Sequence, residues 1–218
     1  RDVLGSRGLG DVYKRQTHDS AATAGEFVKS GTISTYNAVS VMSTVVVPTE
    51  NTITLSNDGI VFEGTGAELS ADLKTITIAQ PGTYIVTGEM EEGQIVVDVD
   101  KTAYVDGLVE LSLEGMSISN TSTSPIYIAS VDDKCSISAK KGTVNTVSDG
   151  TSYTNADGGI GAVYAKDDIT FKGKGTLNVY GNCEDAIVCK NDIHINNGTL
   201  NVTCLLYTSP SPRDPKTS

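Results

Sequence analysis

Long apolar runs are missing from this sequence, and positive charge is scarce. No stretch approaches the about 20 apolar residues that a membrane-spanning helix needs. The chain has 16 lysines and arginines against 27 aspartates and glutamates, which gives a formal net charge of −11. Because contacts to nucleic-acid phosphates depend on lysine and arginine, this balance argues against a nucleic-acid partner. An acidic surface suits solubility outside a cell or the binding of cations.

The two ends of the chain read as translated sequencing adaptor and not as native protein. Residues 204–214 translate one adaptor strand, and residues 6–16 translate its reverse complement. We therefore predict that residues 1–16 and 204–218 are not native, that 17–48 form a linker or lead-in, and that 49–203 form an incomplete domain. Without the ends, all four arginines disappear, and 10 basic residues face 24 acidic ones, a net charge of −14. We expect a signal or anchor to lie outside such a fragment.

Cysteine and histidine are also too few for the sites that they usually build. Apart from the ends, the chain has Cys135, Cys183 and Cys189, which cannot form a complete disulfide framework. Cys189 lies in a strand-like run and is expected to be a buried thiol, and a Cys183–Cys189 bridge stays open as an alternative. His18 lies in the lead-in, and His194 alternates with isoleucines, which favours an exposed strand position over a catalytic one.

The sequence is rich in glycine, threonine, serine, asparagine and aspartate, which separate short runs of valine and isoleucine. This composition favours strands joined by tight turns. Residues 162–171 resemble residues 186–195, 24 positions later, and each segment leads into a Gly-Thr-Leu-Asn-Val run. A looser copy begins at Ile126, and an insertion at 149–161 accounts for its longer spacing. A period in the low twenties with two or three strands per repeat predicts the coils of a β-helix.

Alternation within the strands supports this prediction. Four pairs of apolar residues are expected to point inward: Ile169/Phe171, Leu177/Val179, Ile193/Ile195 and Leu200/Val202. Three asparagines, Asn145, Asn178 and Asn201, are expected to stack in register on the outside. The front half has less regular strands, which we interpret as the first coils of the solenoid. A small β-sandwich-like cap on these coils stays open as an alternative. A set of immunoglobulin-like sandwiches would not explain the short period.

Several runs resemble a family of secreted bacterial polysaccharide-binding proteins, usually described as carbohydrate-binding domain-containing proteins. The resemblance covers about residues 52–203 and is carried by Gln94–Asp98, Leu111–Ile118, Pro125–Ile128, Gly142–Gly150, Ala165–Thr170 and Cys189–Ile193. It implies an all-β fold, a right-handed parallel β-helix (β-solenoid) similar to that of pectate lyases. We expect this helix to be truncated at its C-terminal end and to have an irregular β-rich N-terminal part.

The same resemblance implies what the protein binds and where it works. Members of the family bind cellulose and acidic sugars such as polygalacturonate, and they hold calcium. We therefore expect a monomeric extracellular or cell-surface protein whose partner is a polysaccharide and whose cofactor is Ca²⁺. The complete absence of tryptophan makes binding to the flat surface of crystalline cellulose a weaker expectation.

The candidate sugar contacts are lysines and tyrosines: Lys140, Lys141, Lys166, Lys190, Tyr127 and Tyr164. Lys166 and Lys190 are expected to stack along one edge, where they would hold uronate carboxylates or simply neutralise nearby aspartates. The two tyrosines hold equivalent positions in consecutive repeats and could offer a stacking face to sugar rings. As mid-strand residues, they are slightly more expected in the core.

Carboxylates near the same turns are the candidate calcium ligands, since calcium takes about six to eight oxygen ligands. They are Asp157, Asp167, Asp168, Glu184, Asp185 and Asp192, with Asn155 as a further oxygen donor. Their spacing matches no EF-hand. Aspartates that lie in turns and face water explain the same residues equally well.

The main hypothesis is non-catalytic, calcium-assisted binding of polysaccharide, and two alternatives stay open. The first is a calcium-dependent polysaccharide lyase of the pectate-lyase type, and the second is an adhesin-like stalk. Pectate lyases generally use an arginine base, and residues 17–203 contain no arginine. The resemblance therefore argues against the lyase, although a lysine could replace the arginine in a completed site. The doublets at Asp132 and Asp167 are not ready-made glycosidase pairs, since adjacent strand residues point to opposite faces.

Overall fold

The computed structural model describes residues 27–29, 32–34, 50–154 and 160–204. The chain divides into two units, residues 1–46 and residues 47–218. In the first unit, β1 (Phe27–Lys29) and β2 (Thr32–Ser34) form an antiparallel pair. The predicted adaptor segments 1–16 and 204–218 lie outside the described residues except for Cys204, which ends the last strand, and Asn155 and Asp157 of the insertion also lie outside them.

The second unit consists of short strands that alternate with turns rich in glycine, asparagine and aspartate, as expected for runs of β-branched residues. The strands are β3 (Asn51–Leu55), β4 (Val61–Glu63), β5 (Ala67–Leu69), β6 (Thr75–Ile78), β7 (Gly82–Met90), β8 (Gln94–Asp98), β9 (Leu108–Leu113), β10 (Ser117–Asn120), β11 (Ile126–Ser130), β12 (Lys134–Ala139), β13 (Val144–Asp149), β14 (Val163–Ala165), β15 (Ile169–Gly173), β16 (Thr176–Gly181), β17 (Ile187–Cys189), β18 (Ile193–Ile195) and β19 (Thr199–Cys204). Among the described residues, no helix has the length and apolar composition to cross a membrane.

These strands form two sheets. The first has eleven strands in the order β18-β15-β12-β9-β7-β10-β13-β16-β19, with β3 and β4 attached through β7. The second has six strands in the order β17-β14-β11-β8-β6-β5. Only the pairs β3–β4 and β5–β6 are antiparallel in these two sheets, as far as the structure describes them. From β8 onwards, strands three places apart along the chain pair with each other in parallel.

The all-β prediction is right, but the predicted right-handed parallel β-helix is wrong. The structure is a parallel half-barrel sheet with a second sheet. The reason lies in β7, whose nine residues pair with β9 through Gly82–Val86 and with β10 through Glu89 and Met90. Two rows of strands therefore belong to one continuous sheet. A sequence period shows which strands are equivalent, but it does not show which rows share a sheet.

Apolar side chains of both sheets meet in one core cluster. Leu111, Ile137 and Phe171 are direct neighbours on β9, β12 and β15, and all three are buried. Each such side chain contributes about 1.5 to 3 kcal/mol through removal from water. The predicted inward pairs Ile169/Phe171 and Leu177/Val179 are confirmed, since all four residues are buried.

The last two strands also point their predicted pairs inward, since Ile193/Ile195 lie beside Ile169/Phe171 and Leu200/Val202 beside Leu177/Val179, but these side chains are not fully buried. Ile193 is 46% exposed, Ile195 63% and Val202 47%, and only Leu200 packs partly against the core. In the described part of the chain, β18 and β19 are the two outermost strands of the larger sheet. Their apolar side chains therefore have described neighbours on one side only.

The asparagine prediction is right for two residues and wrong for the third. Asn178 and Asn201 are paired, and Asn201 Nδ2 donates to Asn178 Oδ1 at 2.8 Å. Asn145 is paired with Leu177 and is buried. Aligning the Gly-Thr motifs would place Asn145 beside Asn178, so the observed register differs from that alignment by one residue. The turns that precede the two strands differ in length, with four residues before β13 and two before β16. A shift of one residue moves a side chain to the other face of the sheet.

Candidate functional site

The outer face of the six-stranded sheet carries both predicted tyrosines. The register places Tyr127 beside Tyr164, and this pair lies between Val96 and Val188. The ring centroids are 5.8 Å apart, with an angle of 44° between the planes. Because successive residues of a strand point to opposite faces, the chain neighbours of each tyrosine fill the core while the ring faces outward.

A lysine ammonium lies over each of these rings. Lys166 Nζ is 5.4 Å from the centroid of the Tyr127 ring, and Lys190 Nζ is 5.8 Å from that of Tyr164. Both lysines begin a turn: the N–H of Lys166 donates to the carbonyl of Ile128, and the N–H of Lys190 to that of Ala165. They therefore occupy equivalent positions after β14 and β17. We call Tyr127, Tyr164, Lys166 and Lys190 the tyrosine–lysine ladder.

Contacts with the tyrosines also tune the ladder electrostatically. The contact with the Tyr127 hydroxyl raises the pKa of Lys166, and the nearby Asp98 carboxylate adds to the effect. The amine is therefore protonated at neutral pH. A cation over an aromatic face gains about 0.5 to 1 kcal/mol at an exposed site, so this arrangement holds the ammonium groups near the rings.

The slight expectation that the tyrosines are core residues agrees with the burial of Tyr127 but not with that of Tyr164. Neither belongs to the core cluster, and the low exposure of Tyr127, 9%, goes with the neighbouring ring of Tyr164 and the overlying Lys166. Tyr164 is half-buried, while Lys166 and Lys190 are exposed. A ligand that approaches this face therefore meets the lysine amines and Tyr164 first.

Two further residues of this face, Val96 and Val188, were not among the predicted contacts. Both are half-buried and extend the outward row on either side of the tyrosines. The signal for Val188 was present in the sequence, because the match between residues 162–171 and 186–195 aligns it with Tyr164. Val96 could have been found from the alternation of its own run, Gln94–Asp98.

The other two predicted lysines lie at a different edge. Lys140 and Lys141 occupy the turn between β12 and β13, and Lys140 Nζ is 2.7 Å from Glu114 Oε2. Lys166 lies before β15, whereas Lys174, whose turn stacks on that of Lys140, lies directly after β15. Since β15 has five residues, the two edges are roughly 17 Å apart. The structure thus divides the predicted lysine set into two groups.

The predicted calcium ligands Asp167 and Asp168 form an ion pair and hydrogen bonds with residues of neighbouring turns. Asp167 Oδ1 is 2.6 Å from Lys101 Nζ, and its Oδ2 accepts the N–H of Val131 at 2.9 Å. Asp168 Oδ1 accepts the N–H of Asp192 at 3.2 Å and also the side-chain amide of Asn191. Lys101, which the sequence did not single out, therefore compensates the charge of one candidate ligand.

The remaining candidate ligands do not complete a metal site in the part of the chain that the structure describes. Glu184, Asp185 and Asp192 are exposed, and Asp157 lies outside the described residues. Within those residues, no three acidic, histidine or cysteine side chains are placed to hold a metal ion. The described carboxylates do not fit a calcium ion that needs about six to eight oxygens, and the Ca²⁺ expectation stays a prediction.

The cysteines give a chemical test of the fold. Cys135 is fully buried in β12, and burial raises the pKa of its thiol to about 12. Cys183 and Cys189 are half-buried free thiols, so no bridge joins them in this structure. Because the thiolate is the reactive form, we expect iodoacetamide at about pH 8 to label Cys135 roughly a hundredfold more slowly than Cys189.

Peptide mass spectrometry of the folded protein measures these labelling rates, and the same reaction in urea is the control. In urea, all three thiols should react at similar rates. Rapid labelling of Cys135 in the folded protein would contradict its position in the core.

A family model and a curated relative carry the same description. Residues 72–206 match the family model described as carbohydrate-binding domain-containing protein. A curated relative of that description, from Acetivibrio thermocellus, is 35% identical over 138 residues, which are 62% of this chain and 46% of the relative. The chain therefore spans somewhat less than half the length of that curated relative.

A solved structure is similar as well. It is described as the structure of the polysaccharide lyase-like protein from C. thermocellum, gadolinium derivative, and it superposes with a TM-score of 0.65 at 31% identity. The match covers 72% of this chain and 62% of that one. Because the family model matches well over half of the sequence, this chain belongs to the family of carbohydrate-binding domain-containing proteins.

Proposed function

We propose that this domain binds polysaccharide outside the cell without cleaving it, and that the tyrosine–lysine ladder is its contact surface. One observation carries the proposal: two neighbouring aromatic rings on an outward sheet face each have a lysine ammonium within 6 Å of the centroid. Aromatic rings offer an apolar face to the C–H groups of a sugar. Ammonium groups donate charge-assisted hydrogen bonds to carboxylates.

The spacing of the ladder favours a polymer over a single sugar. Neighbouring strands of a sheet lie about 4.8 Å apart, so the two rings follow one another at about that interval, and so do the two ammonium groups. A chain with one carboxylate per sugar that runs across the strands would meet Lys166 and Lys190 with two successive carboxylates. We therefore propose acidic plant-cell-wall glycans as the first substrate class and cellulose as the second.

The lyase alternative has one observation in its favour, the description of the structural neighbour as polysaccharide lyase-like. The chemistry of the ladder favours binding instead. A lyase needs an unprotonated base, whereas the contact with Tyr127 raises the pKa of Lys166, and the described residues include no arginine. Incubation with polygalacturonate separates the two functions, because accumulating unsaturated products that absorb in the ultraviolet would establish a lyase.

The ladder is tested with two single variants, Tyr164→Ala and Lys190→Gln, by affinity electrophoresis across a panel of glycans. Tyr164 is the better choice over Tyr127, since the latter is nearly buried and its truncation would also affect packing. We expect each change to weaken retention roughly two- to thirtyfold, the loss of about 0.5 to 2 kcal/mol of stacking and charge-assisted contact.

Tyr180→Ala is the matched control, because Tyr180 is 40% exposed on the other sheet. It should be retained like the unmodified protein. Full retention of both ladder variants on every glycan would exclude this face as the site. If the unmodified protein itself were not retained by any glycan, the stalk alternative would be favoured.

Calcium assistance is a separate part of the proposal and has its own arm in the experiment. It is supported by the family resemblance and not by the described carboxylates. Repeating the gels with a chelator measures it directly. Weaker retention with chelator is the expected result, and equal retention would remove calcium while leaving the ladder as the binding surface.

A further inference from the structure

A second group of lysines lies at the C-terminal ends of β12 and β15 in the larger sheet, away from the ladder. It comprises Lys140, Lys141, Lys172 and Lys174, which we call the lysine edge. Two of its members are compensated, since Lys140 Nζ is 2.7 Å from Glu114 Oε2 and Lys172 Nζ is 2.9 Å from Glu110 Oε2. Lys141 and Lys174 are exposed and form no ion pair with any residue that the structure describes.

The backbone aligns these lysines in adjacent turns. The N–H of Lys140 donates to the carbonyl of Leu113, and the N–H of Lys174 donates to that of Ala139, both at 3.0 Å. Lys140 and Lys174 therefore follow one another at about the spacing of neighbouring strands, 4.8 Å. Val144, which begins β13 directly after the turn that holds Lys140 and Lys141, is 62% exposed.

Local charge distinguishes this edge from the rest of the molecule. Four lysines and two glutamates leave it with a positive excess, although the whole chain carries −11. Repulsion of a polyanion by distant acidic residues is screened within about 8 to 10 Å at physiological salt. The nearest charges therefore decide whether an anionic chain can bind here, and those charges are lysines.

We propose that the lysine edge is a second binding site, separate from the ladder, for a segment of a carboxylated or sulfated glycan. Lys141 and Lys174 supply the uncompensated ammonium groups, while Lys140 and Lys172 are held in place by their glutamate partners. The two sites lie roughly 17 Å apart, so a glycan of two or three sugars reaches only one of them. One domain then holds two segments of acidic glycan at once.

The test uses the double variant Lys141→Gln/Lys174→Gln on gels that contain polygalacturonate, dextran sulfate or the neutral hydroxyethyl cellulose. We expect retention by both polyanions to weaken roughly three- to thirtyfold, with a smaller loss at higher salt. Retention by the neutral glucan should not change. Because both side chains are exposed, the thermal unfolding midpoint should also stay the same.

A double variant of equal charge, Lys74→Gln/Lys134→Gln, controls for net charge, because Lys74 precedes β6 of the other sheet and Lys134 begins β12, at the opposite end of the strand from Lys140. It should leave retention by every glycan unchanged. Polyanion retention of the edge variant equal to that of this control overturns the second site, as does a lack of any polyanion binding by the unmodified protein.

The ladder variants distinguish this proposal from the first one. With Tyr164→Ala and Lys190→Gln combined, the remaining polyanion retention should still fall when the edge lysines are also replaced. If the ladder variant alone loses all retention by polyanions, the edge is not an independent site, and the ladder stands. If only the edge variant loses retention, the edge stands and the ladder proposal fails.

Discussion

Replacing Gly173 by alanine is expected to lower the free energy of unfolding by roughly 3 kcal/mol or more. Gly173 has φ +117 at the end of β15, a backbone conformation that alanine rarely adopts. A Cβ there would fall far inside contact distance of the Ala139 carbonyl oxygen and 2.6 Å from the Ala139 nitrogen. That carbonyl accepts the N–H groups of Lys174 and Gly175, both at 3.0 Å.

The backbone around Gly173 cannot yield without a loss elsewhere. Moving Ala139 away would break the pairing of β12 with β15, in which Ala139 and Gly173 are partners. The core residues on these two strands, Ile137 and Phe171, are direct neighbours in the same register. Strain at one glycine is therefore transmitted to the packing of both strands.

Gly142→Ala is the matched control for this prediction. Gly142 has φ +82, but nothing lies within 4 Å of the place where its Cβ would be. We expect this change to cost only about 1 to 2 kcal/mol of backbone strain. Urea unfolding followed by circular dichroism measures both variants, and equal midpoints would show that the contact with Ala139 has no energetic weight.

Replacing Asn145 by alanine should destabilise the domain by about 2 to 4 kcal/mol. This side chain is fully buried. Its Oδ1 accepts the N–H of Gly115 at 2.8 Å and that of Met116 at 3.0 Å, and its Nδ2 donates to Thr143 and Thr176. Alanine leaves these backbone groups without a partner, and an unpaired buried group costs about 1 to 3 kcal/mol.

The same change at Asn178 tests whether the effect belongs to the position or to the residue type. Asn178 lies on the outer side of its strand, and its side-chain oxygen accepts one hydrogen bond, from Asn201. We expect Asn178→Ala to cost less than about 1 kcal/mol. Unfolding midpoints are again the measurement. A loss at Asn178 as large as that at Asn145 would contradict the register that separates them.

The asparagines also show where sequence reasoning reached its limit. All three follow the same Gly-Thr motif, and the motif alone places them on one face. The turn before β13 is longer than its counterpart before β16, with four residues against two. In the resulting register, Asn145 lies one position away from the place that the motif predicts. One position of displacement exchanges the inner and outer faces, and neither composition nor periodicity records that displacement.

The ladder was only partly predictable. Tyr127 and Tyr164 were recognised as equivalent from the repeat, and Lys166 and Lys190 from the 24-residue match. The position of an ammonium group above each ring depends on side-chain directions after two separate strands, which the sequence does not specify. The same holds for the ion pair between Lys101 and Asp167, whose partners are far apart along the chain.

By itself, the sequence determined that this is an all-β protein whose pairs Ile169/Phe171 and Leu177/Val179 face inward. Those two features depend on local alternation and composition, which every residue carries with it. Only the tertiary structure decided that β7 joins two strand rows into one half-barrel sheet. It also decided that the predicted lysines form two groups, because the length of β15 separates the turns on which they lie.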